Sequence, residues 1–71
     1  MVVKEHFWVN YLLNNRMLKS HILEDENSAL RQAFHLEMYQ KASVVSVECS
    51  NGKVLDKKTC FDLVRERNIR E

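Results

Sequence analysis

One glycine occurs among the 71 residues, and it directly follows an asparagine. Asn51-Gly52 is the strongest short hairpin signal a sequence carries, because the tight two-residue turn that joins twisted strands needs positive φ at both central positions. No proline occurs anywhere, so no element is obliged to break in its middle. The residues on either side of the glycine read as strands. Over Ser43–Ser50, alternation puts Val45, Val47 and Cys49 on one side and Val44, Ser46 and Glu48 on the other. Lys53–Lys57 returns, setting Cys49 against Val54 and Glu48 against Leu55. A hairpin is expected over residues 43–58.

The same period of two appears near the start. Phe7, Val9, Tyr11 and Leu13 share one face, and Asn14-Asn15 follows; Asn tolerates the left-handed backbone of a tight turn. With Arg16–Leu23 returning, Leu13 faces Arg16, Tyr11 faces Leu18, Val9 faces Ser20 and Phe7 faces Ile22. The opposite face pairs Leu12 with Met17, Asn10 with Lys19, Trp8 with His21 and His6 with Leu23. This register gathers most large apolar side chains on one side, and a slip of one residue scatters them. The hairpin spans residues 5–23.

Between the hairpins the period changes. Glu24-Asp25-Glu26-Asn27-Ser28 offers capping side chains and negative charge for the positive end of a helix dipole. A helix is predicted over 27–41, with Ala29, Leu30, Ala33 and Phe34 as its apolar stripe; Glu37 falls on the same side. Thr59 followed by Asp62 approximates capping-box spacing, and Phe61, Leu63 and Val64 follow, so a short helix is expected over 59–68. The chain is short enough to form a single domain, residues 1–71, with a thin core. The expected fold is α+β: a two-layer ββαββ(α) arrangement with a four-stranded, mainly antiparallel sheet and one main helix packed on one face.

Several function classes fall away. One glycine leaves no phosphate-binding loop and no dinucleotide fingerprint. His6, His21, His35, Cys49 and Cys60 have no metal-ligand spacing, so no metal and no cofactor is expected. Asp56 and Asp62 flank Cys60 and raise rather than lower a thiol pKa. The chain therefore reads as non-enzymatic. Two cysteines outside any CxxC pair, and no apolar run long enough to span a membrane, fit two free thiols in the cytoplasm.

Binding remains. Eleven basic residues against ten acidic ones give a net charge of +1, where nucleic-acid binders carry a marked basic excess. The outer face of the first hairpin gathers Trp8, Leu12, Met17 and Leu23, rimmed by His6, Asn10, Lys19 and His21, with Val44 and Leu55 extending it. Patches of this kind mark association sites. The partner-binding residues are expected to be Trp8, Leu12, Met17, Lys19 and His21. Arg65, Arg67 and Arg70 would steer an acidic protein partner. The competing reading has the C-terminal helix fold back over that face. A small RNA- or DNA-binding regulator using the basic C-terminal segment, and a structural homo-oligomer such as a homodimer, are the alternatives.

The arrangement also resembles a family. A hairpin turning at Asn14-Asn15, Met17-Leu18 just after it, an acidic helix start, a helix closing in Lys41-Ala42, a valine-rich strand and a tight second hairpin are similar to the small accessory proteins of T-even-like tailed phages, the Dmd-type antitoxins among them. The likeness covers residues 5–58 and rests on pattern and spacing. It implies a small protein that neutralises a host RNase toxin or another defence factor by direct binding, in the cytoplasm of the infected cell, with no catalytic chemistry of its own.

Overall fold

A computed structural model describes residues 4–69. The chain is an α+β domain in the order β1 (Phe7–Leu13), β2 (Arg16–Lys19), α1 (Glu26–Tyr39), β3 (Ser43–Cys49), β4 (Val54–Asp56) and α2 (Lys57–Glu66). The four strands form one antiparallel sheet ordered β2-β1-β3-β4. Two helices accompany it, and both lie on the same face. α1 packs on β1 and β3, α2 packs on β3, β4 and α1, and neither touches β2. α2, which the competing reading folds over the outer face, is therefore on the other side of the sheet.

The first turn forms as its residues dictate. Asn14 and Asn15 both have positive φ, 54° and 64°, and the register Leu13↔Arg16, Tyr11↔Leu18, Leu12↔Met17, Asn10↔Lys19 follows. Beyond Ser20 the expected register fails. Phe7 pairs with Leu23, not Ile22, exchanging bonds of 2.9 and 2.7 Å, so the returning chain carries one extra residue there. Ser20 fills the gap in the ladder: its Oγ accepts the Val9 N–H at 2.9 Å. Leu23 consequently packs against the core, while Ile22 turns to solvent, 58% exposed.

A second bulge corrects β3. Asn10 pairs with Ser46 but Tyr11 pairs with Val44, leaving Val45 unpaired. Val44 is buried at 1% exposure and Val45 is 38% exposed, the reverse of plain alternation. The Val44 N–H lies past the end of short β4 and donates to Glu37 Oε1 at 3.2 Å; the same oxygen meets Lys57 Nζ at 2.8 Å. That explains an acid on the sheet side of α1.

The Asn-Gly hairpin also departs from its expected turn. Only Gly52 takes positive φ, 97°, and the Gly52 N–H donates to the Cys49 carbonyl at 3.0 Å. The Cys49 N–H then bonds the Lys53 carbonyl at 2.9 Å, so the loop has three residues. Glu48 therefore faces Val54, and Val47 faces Leu55. Leu55 is buried and Val54 exposed, again reversing the expectation.

Both helices begin on an aspartate slightly earlier than predicted. Asp25 Oδ1 accepts the Ser28 N–H at 2.7 Å, and Asp56 Oδ1 accepts the Thr59 N–H at 2.8 Å. Thr59 is thus the capped residue, not the cap. α2 ends in a Schellman motif: the Ile69 N–H bonds the Val64 carbonyl at 2.9 Å, and Asn68 takes the left-handed position at φ 53°. Phe7, Val9, Leu30, Leu36, Val44 and Val47 centre the core, with Cys60 and Val64 closing it from α2.

Candidate functional site

With both helices on one face, the other face of the sheet stays open among the described residues. Strand alternation places Trp8, Asn10 and Leu12 there from β1, Met17 and Lys19 from β2, Ser46 and Glu48 from β3, and Val54 from β4. Trp8 is half-buried even without a covering layer. Its Nε1–H donates to Glu48 Oε2 at 2.8 Å, and Lys19 Nζ lies 5.5 Å from its ring centroid. An acid on one side and a cation over the ring hold the indole in place. Next to it, Asn10 Nδ2 donates to Ser46 Oγ at 3.1 Å. Beyond that polar band, Leu12 sits opposite Met17, which is 60% exposed.

The apolar groups of the face are separated: Trp8 and Val54 stand on either side of Glu48, and Leu12 lies against Met17. The polar band crosses between these groups instead of forming a rim. Leu23, Val44 and Leu55 are absent from it, because the two bulges and the three-residue loop turn all three inward. Val54 takes the place expected of Leu55; the three-residue loop option of a Gly-containing turn was the one signal that could have shown it. His21 is exposed but is not paired with Trp8, since the extra residue after Ser20 breaks that register. His6 is exposed just before β1, its backbone N–H donating to Ser50 Oγ at 3.0 Å.

The remaining expected site residues lie on the helical side. Arg67 is tied down: its Nη1 meets Glu26 Oε1 at 2.8 Å and donates to Asn27 Oδ1 at 2.8 Å. Lys53 Nζ approaches the other Glu26 oxygen at 3.2 Å. Partial burial pushes the Glu26 pKa up, but the hydrogen bonds from Lys53 and Arg67 outweigh it and hold the carboxyl below its ordinary value. Arg65 edges an open groove of about 490 Å³ between α1 and α2, lined chiefly by Phe34, Phe61, Val64 and Ile69. Arg70 lies outside the described residues. The structure thus brings Trp8, Leu12, Met17 and Lys19 onto one face, leaves His21 exposed outside the paired strands, and puts Arg65 and Arg67 on the opposite layer.

The acids at the start of α1 each have a structural partner. Glu24 pairs with Lys4 at 3.6 Å, and the backbone hydrogen bond from Ser28 lowers the Asp25 pKa. The Cys60 thiol donates to the Leu55 carbonyl, and burial pushes its pKa up to about 11. Both cysteines are free and buried. Among the described residues no three His, Cys, Asp or Glu side chains converge as metal ligands, and no helix is long and apolar enough to cross a membrane.

Compared with known protein families, curated proteins and solved structures, the chain matches none.

Proposed function

We propose that this chain is a non-enzymatic protein-binding module that inhibits its partner by covering a functional surface of it. One observation carries the reading. Both helices sit on one side of the sheet, so Trp8, Leu12, Met17 and Val54 have no intramolecular cover among the described residues. A tryptophan already fixed by Glu48 and Lys19 loses little rotamer freedom on docking, which suits it as an anchor. The likeness to T-even phage antitoxins gives the reading its finer form: a cytoplasmic phage antitoxin or anti-defence factor directed at a host RNase toxin.

Co-expression tests it. The chain should restore growth to bacteria making an RNase toxin that it binds in a pull-down. Trp8→Ala should lose both retention and rescue while keeping the wild-type far-UV circular dichroism. Loss of binding on moderate salt, with retention of nucleic acid instead of protein, would favour the regulator alternative.

A further inference from the structure

Among the described residues β2 is an edge of the sheet, and no helix touches it. All four of its residues are exposed. The two-residue turn makes Leu13↔Arg16 the first hydrogen-bonded pair, and the Ser20 N–H to Val9 carbonyl bond, 2.8 Å, fits the same alternation. Met17 and Lys19 occupy the intervening positions, so their backbone N–H and C=O groups point away from β1 to the free edge. The edge also has side chains to offer: Met17 toward the Trp8 face, Leu18 toward the helical face, and Ile22 just beyond, turned outward by the bulge.

Charge selects the occupant. From His6 to Leu23 the chain carries Arg16 and Lys19 and not one acid. A second copy of the same edge would bring four cations together, an arrangement that guards natural edges against self-pairing. A strand bearing carboxylates meets no such cost. We infer that β2 accepts an extended, acidic segment of the partner protein as a fifth strand, its backbone bonded to Met17 and Lys19 and its carboxylates set against Arg16 and Lys19. The added strand extends the sheet beside the Trp8 face, so this inference rests on the proposed protein-binding role and names the kind of segment that role requires.

The test uses the full chain and the capped peptide Thr-Glu-Val-Val-Glu-Thr, whose two carboxylates stand three residues apart on opposite faces as Arg16 and Lys19 do, with its Lys-for-Glu counterpart as control. Amide exchange read by nuclear magnetic resonance should slow at Met17 and Lys19 with the acidic peptide and not with the basic one. A chain made by total synthesis with the Met17 amide N-methylated loses one outward donor and none of the bonds to β1. It should bind the acidic peptide about tenfold more weakly, the upper range for one hydrogen bond, with unchanged circular dichroism. Should methylation disturb the fold, Arg16→Glu with Lys19→Glu is the second variant and should exchange the preference to the basic peptide. Four results overturn the inference: no slowing at Met17 and Lys19, equal slowing by both peptides, concentration-dependent slowing without peptide (a second copy on the edge), or a stronger response to a thymidine decanucleotide. If Trp8→Ala abolishes partner retention while edge exchange never responds, the edge inference fails and the outer-face reading stands.

Discussion

Val44 and Val45 are adjacent, chemically identical and, by the bulge in β3, opposite in consequence. Val44 is 1% exposed and packs between sheet and helices; Val45 is unpaired and 38% exposed. Truncating a buried valine to alanine removes two methylene equivalents, about 1.6 kcal/mol of transfer energy, and the residual cavity brings this to about 2–3 kcal/mol. The same change at Val45 leaves no cavity and should stay within about 0.5 kcal/mol. A chain of 71 residues has roughly 4–10 kcal/mol of total stability, so Val44→Ala removes a large share of it and still folds at 25 °C. Urea unfolding followed by far-UV circular dichroism measures both variants. With a slope near 1 kcal/mol per molar for so small a domain, the Val44→Ala midpoint falls by about 2–3 M, and that of Val45→Ala by about 0.5 M or less. Equal losses, or a greater loss at Val45, would mean that β3 alternates without a bulge and that the core has been assigned to the wrong valine.

Three further outcomes are expected. Trp8→Ala removes an indole–carboxylate hydrogen bond and a cation–π contact, and should cost about 1–2 kcal/mol in urea unfolding; the 3–5 kcal/mol of a buried tryptophan would place Trp8 in a core. Asp25, Glu26 and Asp56 all have lowered pKa values in the folded chain, from ordinary values of 3.8, 4.5 and 3.8. Their contribution is therefore complete above about pH 5 and is lost as pH falls through their folded pKa values; thermal melts should show constant stability from pH 6 to 7 and decline below about pH 4.5, and Asp25→Asn with Asp56→Asn should flatten that decline. Cys60 is buried with its thiol pushed up to about 11, so iodoacetamide at pH 8 should modify it only at the rate of unfolding, and labelling as fast as in urea would contradict its placement.

The element order was legible because each element announces itself locally: paired asparagines, an acidic helix start, one glycine after asparagine. What alternation could not show was where it breaks. A bulge depends on both strands and the layer above, and neither Val45 nor the stretch from Ser20 to Leu23 carries a residue type that marks one. The same holds for the loop at Asn51-Gly52. Its glycine admits either a two- or a three-residue turn, and the choice rests with Leu55, which reaches the core only in the longer form. The strand residues that changed sides follow from these three local shifts: Leu23, Val44 and Leu55 went inward, and Ile22, Val45 and Val54 came out. Leu12, Met17 and Lys19 stayed on the outer face because they sit where the β1–β2 register is unbroken, and Trp8 because the extra residues fall in its neighbours and not in β1. Arg65 and Arg67 were assigned from charge alone, and charge does not say which layer a helix joins.

The open face and the free edge have one cause. Covering β1, β3 and β4 takes both helices, α1 on the first two and α2 on the last two, and the chain has no third helix among its described residues. Among the described residues β2 is then held by β1 and the Asn14-Asn15 turn, with Phe7↔Leu23 closing the far end. β2 is four residues long, pairs with β1 on one side and has no helix over it among the described residues. Its pairing should therefore open more readily than the β1–β3 ladder, which the core pins from one side. A strand added on the outer side gives β2 a second hydrogen-bonding neighbour and converts it from an edge to an interior strand. The least supported element of the domain is thus the one with most to gain from a partner, and it lies beside the fixed indole of Trp8.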